Sequence, residues 1–255
     1  MRFVDLSVPL ENDRDWAPWW ARTRVKRQSH RFGKWVMRLL FGVTGKHLPG
    51  GLGWANDEIK LSTHGTTHVD APWHYAPTVA GQPARTIDRM PLDWFHGPGV
   101  VVDISHLDAN AAASVADLEH ALAGARHELQ PREIVLIRTG NDRLLGQPEY
   151  FHTGPGVSPE ATRWLIERGV RVMGIDSWGW DAPLRHQARL AKSAGRDDIF
   201  WAAHYVGAER EYCHMERLAN LGALPPDGFT VCAFPLKVAG GSAGPARVIA
   251  ILDRE

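Results

Sequence analysis

The sequence predicts one domain of the α/β or α+β class, built around a mixed β-sheet. Two continuous apolar runs, at residues 100–102 and 134–137, are typical of strands that are covered on both faces. Helical stretches lie between several strand-like runs, and elements in this order form this class of fold. A chain of 255 residues can form one large domain or two small ones. Because no linker-like segment interrupts the chain, we expect a single domain.

The strands are predicted from short runs rich in β-branched and other apolar residues, bounded by turn-forming residues. Seven runs meet this description, at residues 2–7, 58–63, 100–105, 133–139, 170–176, 229–237 and 247–252.

Two helices are predicted between these strands. The first covers residues 111–125, which are rich in alanine and carry Leu118 and Leu122 four residues apart. The second begins at Ser158, a capping residue, which is followed by Pro159 at the first helical position and by Glu160 in the first turn. It ends near residue 169, directly before the next strand.

The composition excludes several classes of protein. Lys and Arg together number 29, as do Asp and Glu, and a chain without net charge is unlike a dedicated nucleic-acid-binding protein. Two cysteines cannot form a disulfide framework. No apolar run is long enough for a transmembrane helix, and acidic residues interrupt the first fifteen positions, unlike a signal peptide. We therefore expect a cytoplasmic protein with neither nucleic-acid nor membrane partners.

The segment 22–49 differs from the rest of the chain because it is basic at first and then apolar. Such a pattern can form a membrane-surface helix or a nucleic-acid patch. It can also form an arm or lid whose apolar face packs on its own domain or on a second subunit. The neutrality of the whole chain favours the second interpretation.

The chemistry is concentrated in residues 64–74, whose sequence is HGTTHVDAPWH. It contains three imidazoles and one carboxylate, a donor mixture that suits a divalent ion such as Zn or Mn. His64 and His68 are four residues apart, as on a metal-binding helix, but Gly, Thr and Pro are poor helix formers. We therefore expect an irregular turn after a strand. The alternative is a surface loop that is merely rich in histidine.

A second group of acids and imidazoles lies at His204, Glu209, Glu211, His214 and Glu216. By itself this group could be the solvated face of a helix. Beside a metal motif, His204 and Glu216 become candidate distal ligands. Residues 240–244 fit the G-x-S-x-G pattern of serine hydrolases, but a nucleophile elbow needs a helix after the serine. A strand-like run follows instead, so we expect residues 241–244 to form a turn between strands.

The segment 64–74 resembles the H-x-G-T-H-x-D-x-P-x-H signature of the cyclase family, with Thr66 at the position of the pattern's glycine. That family includes bacterial kynurenine formamidase and isatin hydrolase. Further similarities are the twelve-residue spacing from His204 to Glu216 and the sequence ERLANL at 216–221. The resemblance covers most of the chain, except two apparent insertions near 22–49 and 181–200.

The resemblance implies a compact α/β domain with a barrel-like sheet flanked by helices, assembled as a dimer or a dimer of dimers. It also implies a metal centre of one or two ions per subunit. His64, His68 and Asp70 would bind one ion, and Asp70 would bridge to a second that His204 binds. Glu216 would reach one or both ions, and His74 would be the catalytic acid and base. Isatin hydrolase-like members carry Gln at the position of Glu216, so the glutamate favours the two-metal, formamidase-like arrangement.

These observations predict a metal-dependent hydrolase that cleaves an amide-type C–N bond, as arylformamidases do. One alternative is a ring-opening hydrolase of isatin-like imides, lactones or cyclic ketones. Another is a metal-stabilised binding protein without turnover, but a purely structural metal site would not need the additional His74. The substrate is expected to be a small aromatic or cyclic molecule. Among 11 tryptophans, Trp16 and Trp73 are the candidates to line its pocket, unless they pack the 22–49 insertion instead.

Overall fold

The computed structural model describes residues 1–12 and 17–253. The strands in these ranges are β1 (Arg2–Asp5), β2 (Arg24–Gln28), β3 (Asn56–Lys60), β4 (His68–Asp70), β5 (Thr78–Val79), β6 (Gln82–Pro83), β7 (His96–Asp103), β8 (Ala112–Ala113), β9 (Ile134–Arg138), β10 (Gly156–Val157), β11 (Val172–Ile175), β12 (Cys213–Glu216), β13 (Phe229–Cys232), β14 (Ala243–Pro245) and β15 (Ile249–Leu252). The helices are α1 (His30–Phe41), α2 (Pro72–Tyr75), α3 (Val115–Gly124), α4 (Pro159–Glu167), α5 (Leu184–Ala194) and α6 (Ala202–Tyr205).

Nine of these strands form one mixed sheet. Its centre consists of four parallel strands, which run in the order β7, β9, β11 and β12. Antiparallel strands extend it on both sides, through β13, β15 and β1 at one edge and through β4 and β14 at the other. Parallel strands need a crossover connection, and α3 and α4 supply it between β7, β9 and β11.

The sheet curls into a half-barrel. Beyond the end of β1, Ser7 forms a bridge to Leu218, which follows β12. Beyond the end of β14, Ala246 forms a bridge to Pro235, which follows β13. Both edges of the sheet therefore reach strands that are distant in the sheet order. A single α/β domain with a mixed, barrel-like sheet, as predicted, is confirmed.

Both faces of the central strands are buried, as their continuous apolar sequences predict. Alternate residues of a strand point to opposite faces. Val101, Ile134 and Leu136 belong to a core inside the curl, together with residues from both edges of the sheet. Val100 and Val135 belong to a second core, in which the outer face of the sheet packs against α3 and α4.

Both predicted helices form, and the cap predicted for α4 is present. The side chain of Ser158 accepts a hydrogen bond from the Ala161 amide, and Pro159 occupies the first turn of α4. Ser114 caps α3, so this helix begins later than predicted. The two residues of β8 precede the cap and pair with β10.

Three strands of the sheet were not predicted. β4 lies within the motif that we expected to be an irregular turn; the turn ends at Thr67, and α2 follows β4 directly. β14 begins at Ala243, so the turn predicted at 241–244 covers only the residues before it. β12 contains His214 and Glu216. Each of the three is three or four residues long, and β4 and β12 are buried although they contain ionisable residues, so none shows the apolar pattern of a strand.

The segment 22–49 contributes β2, which pairs with β3, and the amphipathic helix α1. Gly33 packs against the backbone of Trp54. A β-carbon at position 33 would lie 1.9 Å from the Trp54 carbonyl oxygen, so only glycine allows this contact. Trp35, Leu39 and Phe41 of α1 are largely exposed. Among the described residues, no helix combines the length and the apolar character that crossing a membrane requires.

Candidate metal centre and substrate cavity

The centre of the site is built by two neighbouring strands, β4 and β12. In their antiparallel register, His68 lies opposite Glu216, and Asp70 lies opposite His214. Val69 and Met215 alternate with these residues and point into the core inside the curl. The four ionisable side chains therefore project together from the outer face of the sheet.

Each of the two imidazoles lies close to both carboxylates. His214 Nε2 lies 3.0 Å from Asp70 Oδ2 and 3.3 Å from Glu216 Oε1. His68 Nε2 lies 3.2 Å from Asp70 Oδ1 and 3.6 Å from Glu216 Oε2. The backbone amide of Trp180 donates to Glu216 Oε1 over 2.8 Å, which fixes that carboxylate.

His64 and His74 flank Asp70 on its more exposed side. His64 lies in the turn before β4, with Nδ1 2.8 Å from Asp70 Oδ1 and Nε2 3.0 Å from Ser242 Oγ. His74 lies on α2, with Nε2 3.9 Å from Asp70 Oδ2. The two imidazole rings face each other with centroids 4.1 Å apart.

His204 reaches the same centre from α6. Its Nε2 lies 3.4 Å from Glu216 Oε1, and its Nδ1 donates to Asp181 Oδ2 over 2.5 Å. Asp181 also accepts the backbone amides of Ala203 and His204. The structure thus brings together all five predicted metal ligands, and His74 lies beside them.

Two histidines are oriented in the way that metal ligands require. A ring nitrogen that donates a hydrogen bond leaves the other nitrogen unprotonated in a neutral imidazole. His68 Nδ1 donates to the Thr66 carbonyl oxygen over 2.6 Å, and His204 Nδ1 donates to Asp181. In both residues, Nε2 is the nitrogen that faces the carboxylates.

The centre contains buried polar atoms that its own residues do not satisfy. Within the described ranges, His68 Nε2, both carboxylate oxygens of Asp70 and both ring nitrogens of His214 lack a hydrogen-bond partner. Unsatisfied buried polar atoms are costly, so such a cluster is suited to bind a cation. Four donor atoms, one each from Asp70, His204, His214 and Glu216, lie within 4.8 Å of one another, and so do three from His64, Asp70 and His74. Imidazole and carboxylate donors fit a divalent metal.

Sequence analysis did not identify His214 as a ligand candidate. The residue is completely buried, and its ring stacks against the indole of Trp180 at 5.4 Å. The alternation of His214 and Glu216 is the available signal, because residues two apart share one face of a strand. Because the sequence was interpreted as a possible helix face, the strand pattern of these two residues was not used.

The electrostatics of the centre favour a cation. Burial acts to raise the pKa of Asp70, but the nearby imidazoles of His74, His68 and His64 outweigh it and hold this pKa well below its usual range. Burial likewise opposes the charge of Glu216, but the neighbouring imidazoles of His204 and His214 outweigh it and keep its pKa well below the usual value. Both carboxylates are therefore ionised. Burial lowers the pKa of His74 to about 4, so this imidazole is neutral at neutral pH.

A cavity of about 490 Å³ opens beside the centre. His64, His74, His204 and Glu216 form part of its wall. The rest is mainly apolar and aromatic, with Trp20, Phe151, Trp178, Phe200 and Trp201. The guanidinium of Arg217 lies 3.4 Å from the ring centroid of Trp178 and adds a positive charge to this wall. The cavity can hold a small molecule with an aromatic ring.

The two tryptophans predicted to line the pocket have different positions. Trp16 lies outside the described residues. Trp73 is 49% exposed and is not among the described residues that line the cavity. Successive residues of a helix point about 100° apart, so Trp73 and His74 project in different directions. Their role in substrate binding stays a prediction.

Comparison with known proteins agrees with this geometry. Residues 4–182 match the family model described as "Putative cyclase". A kynurenine formamidase from Salinibacter ruber is 30% identical over 191 residues, which cover 75% of this chain and 77% of that protein. An isatin hydrolase from Roseibium aggregatum is 28% identical over 204 residues, which cover 76% of this chain and 73% of that protein.

A solved structure extends the likeness over the whole fold. Isatin hydrolase A from Labrenzia aggregata, bound to benzyl benzoate, matches with a TM-score of 0.75 and 27% identity, over 99% of this chain and 94% of that chain. The family match alone covers most of the chain, including the complete motif at 64–74. The chain belongs to the cyclase family of metal-dependent hydrolases.

Proposed function

We propose that this protein hydrolyses the C–N bond of an aryl formamide, as a kynurenine formamidase does. One observation carries the proposal. A buried set of His and carboxylate donors, unsatisfied by the protein itself, lies at the wall of an aromatic cavity beside the neutral imidazole of His74. The formamidase relatives and the glutamate at position 216 support it.

The metal is proposed to be Zn or Mn, with one or two ions per subunit. Asp70, His204, His214 and Glu216 would hold one ion, and His64, His68 and Asp70 would hold a second. Such an ion lowers the pKa of water towards neutrality and polarises a carbonyl group. Asp70 takes part in both sets, because its two oxygens face different imidazoles.

The chain's own residues supply the proton transfer. Hydrolysis joins a water oxygen to the formyl carbon, breaks the C–N bond and leaves a proton on the amine nitrogen. His74 is the proposed carrier, since its imidazole borders the cavity beside the proposed ligands and can accept a proton from water and return it to the leaving nitrogen. Ser242 holds His64, and Asp181 holds His204, so the neighbouring imidazoles keep fixed orientations.

The ring-opening alternative is supported by a specific observation. The structural likeness to isatin hydrolase A covers almost the whole chain, including the segments that form the cavity. The same residues could cleave the C–N bond of a cyclic imide, and the leaving nitrogen would then stay attached to the product.

The test is turnover by the metal-loaded protein on N-formylkynurenine, formanilide and isatin. We expect formate release from the two formamides, and loss of this activity in Asp70→Asn. His127→Ala changes a histidine that is not among the described residues lining this cavity, so it is the matched control and keeps the activity. Turnover of isatin alone would favour the ring-opening reaction. Bound metal without turnover of any amide, imide or lactone would contradict both proposals.

Assembly and location are also proposed. The exposed apolar side chains of α1 are suited to cover a second copy of the chain, so we propose a homo-oligomer. A small-molecule substrate and a cytoplasmic location complete this proposal.

A further inference from the structure

One aromatic residue of the cavity wall contacts the proposed catalytic and metal-binding imidazoles directly. The indole of Trp201 stacks on His204 with ring centroids 4.5 Å apart and an interplanar angle of 25°. It also meets His74 edge to face at 5.1 Å. A substrate group beside the centre therefore lies next to Trp201.

The backbone of Trp201 is held in an unfavourable conformation. Its φ angle is 62°, in the left-handed region that large side chains rarely adopt. Such a conformation persists only where surrounding contacts impose it, and it is often found at functional sites.

The backbone amide of Trp201 is held by Gln187, in the first turn of α5. The Trp201 amide donates to Gln187 Oε1 over 2.5 Å, and Gln187 Nε2 donates to the Ala182 carbonyl oxygen over 2.7 Å. Gln187 is 94% buried, since its exposed fraction is 6%. One side chain thus ties both ends of the segment between Asp181 and Trp201 together.

Asp181, next to Ala182, binds the backbone and ring of His204. The Gln187 contacts therefore join the residue that orients His204 to the residue that stacks on it. Pro183, Leu184 and Phe200 of the same segment also line the cavity. The hydrogen bonds of Gln187 and of Asp181 together hold this part of the wall against the centre.

We propose that Trp201 is a specificity-determining residue that selects a flat, unsaturated ring next to the bond to be hydrolysed, and that Gln187 is the positioning residue that sets the pose of its indole. This inference rests on the proposed function, because it concerns the same cavity. Flat rings stack on an indole or meet it edge to face, whereas a saturated ring of the same size does not gain that attraction.

The test measures binding without turnover. Benzamide and cyclohexanecarboxamide, a flat and a puckered ring with the same amide group, are titrated into the metal-loaded protein by calorimetry. We expect the wild type to prefer benzamide. Trp201→Gly, in which glycine accepts the left-handed backbone, is expected to reduce this preference by about threefold to tenfold. Trp201→Phe, which keeps an aromatic ring, retains most of the preference.

Gln187→Met is expected to lower the preference in the same direction, with unchanged metal content. Gln187→Glu keeps an acceptor for the Trp201 amide and retains more of the preference than Gln187→Met. Lys192→Ala, on the exposed side of α5, is the matched control and behaves as the wild type.

An unchanged preference in Trp201→Gly, or a wild type that binds both amides equally, would overturn the inference. If Gln187→Met alone retains the full preference, the positioning role of Gln187 is wrong. Failure of the proposed function appears differently: the wild type would prefer benzamide and release no formate from formanilide.

Discussion

Two clusters of histidine and carboxylate groups in this molecule have similar compositions and opposite hydrogen-bonding states. In one, His127 lies between Asp227 and Glu133, with Nδ1 2.6 Å from Asp227 Oδ2 and Nε2 2.9 Å from Glu133 Oε2. Glu133 also accepts the backbone amide of Gln130. Every ring nitrogen of this cluster has a partner within the protein.

The cluster around Asp70 contains more ionisable groups, and fewer of its polar atoms have a hydrogen-bond partner. Both Asp70 oxygens and the inward-facing nitrogens of His68 and His214 are buried without a hydrogen bond among the described residues. Residue types alone therefore do not distinguish a metal centre from a structural contact. The distinguishing feature is whether the protein satisfies its own donors and acceptors, because only an unsatisfied buried cluster gains stability from an added ion.

The largest expected effect is the loss of metal binding in Asp70→Asn. Asp70 belongs to both groups of potential ligands, and its pKa lies well below the usual range, so it supplies a negative charge that asparagine lacks. A metal present at about a thousand times its Kd stabilises the folded state by about 4 kcal/mol. We expect the wild type to lose stability of this order on chelation, whereas Asp70→Asn does not respond to chelator. Thermal unfolding with and without EDTA measures both values.

His127→Ala is the matched control for this comparison. It removes an imidazole from the cluster that is already satisfied, so its response to EDTA should equal that of the wild type. A metal-dependent gain of stability in Asp70→Asn, or its loss in His127→Ala, would show that the two clusters were assigned the wrong roles.

The next effect separates residues within the metal centre itself. His68→Ala removes a buried ligand, so metal content and thermal stability are both expected to fall. His74→Ala should keep most of the metal but reduce kcat by about 10²–10⁴-fold, the usual contribution of a general acid and base. Metal analysis and kcat of the two variants measure the difference.

His74 also lies close enough to Asp70 and His64 to be a ligand. If His74→Ala loses as much metal as His68→Ala, it is a ligand rather than the proton carrier. If it keeps both metal and full activity, the proton carrier is another residue; His214 is an unsuitable replacement, because it is completely buried.

The fold was largely predictable because its central strands obey simple rules. The apolar runs at 100–102 and 134–137 are covered on both faces, and the capping residues before α4 begin it where expected. The curl of the sheet was predicted from the family resemblance and not from any local sequence pattern. It depends on bridges between residues that are far apart in sequence, such as Ser7 and Leu218.

The candidate site was predictable where its residues lie in one short motif. The cavity wall was not, because Trp178 and Trp201 come from loops whose sequences carry no periodic pattern. His214 and Asp181 were missed for a related reason. Their roles depend on what lies opposite them, namely Asp70 across the sheet and His204 at the end of α6, and neither neighbour is close in sequence.

The smallest expected effect tests the satisfied cluster by its pH dependence. Burial opposes protonation of His127, but hydrogen bonds to Glu133 and Asp227 outweigh it and raise the pKa of His127. Because this pKa is higher in the folded protein than in the unfolded chain, the contribution of His127 is complete below about pH 6.5 and is lost as pH rises through the folded value. The contribution is about 1 kcal/mol, or about 2–4 °C in Tm for a chain of this size.

We therefore expect the wild type to unfold at a higher temperature than His127→Ala at pH 6, with a smaller difference at pH 9. Taking the difference between the two proteins at each pH removes the titration of the metal centre, which they share. A difference that grows with pH would mean that His127 is neutral in the folded state, and the contrast between the two clusters would then rest on burial alone.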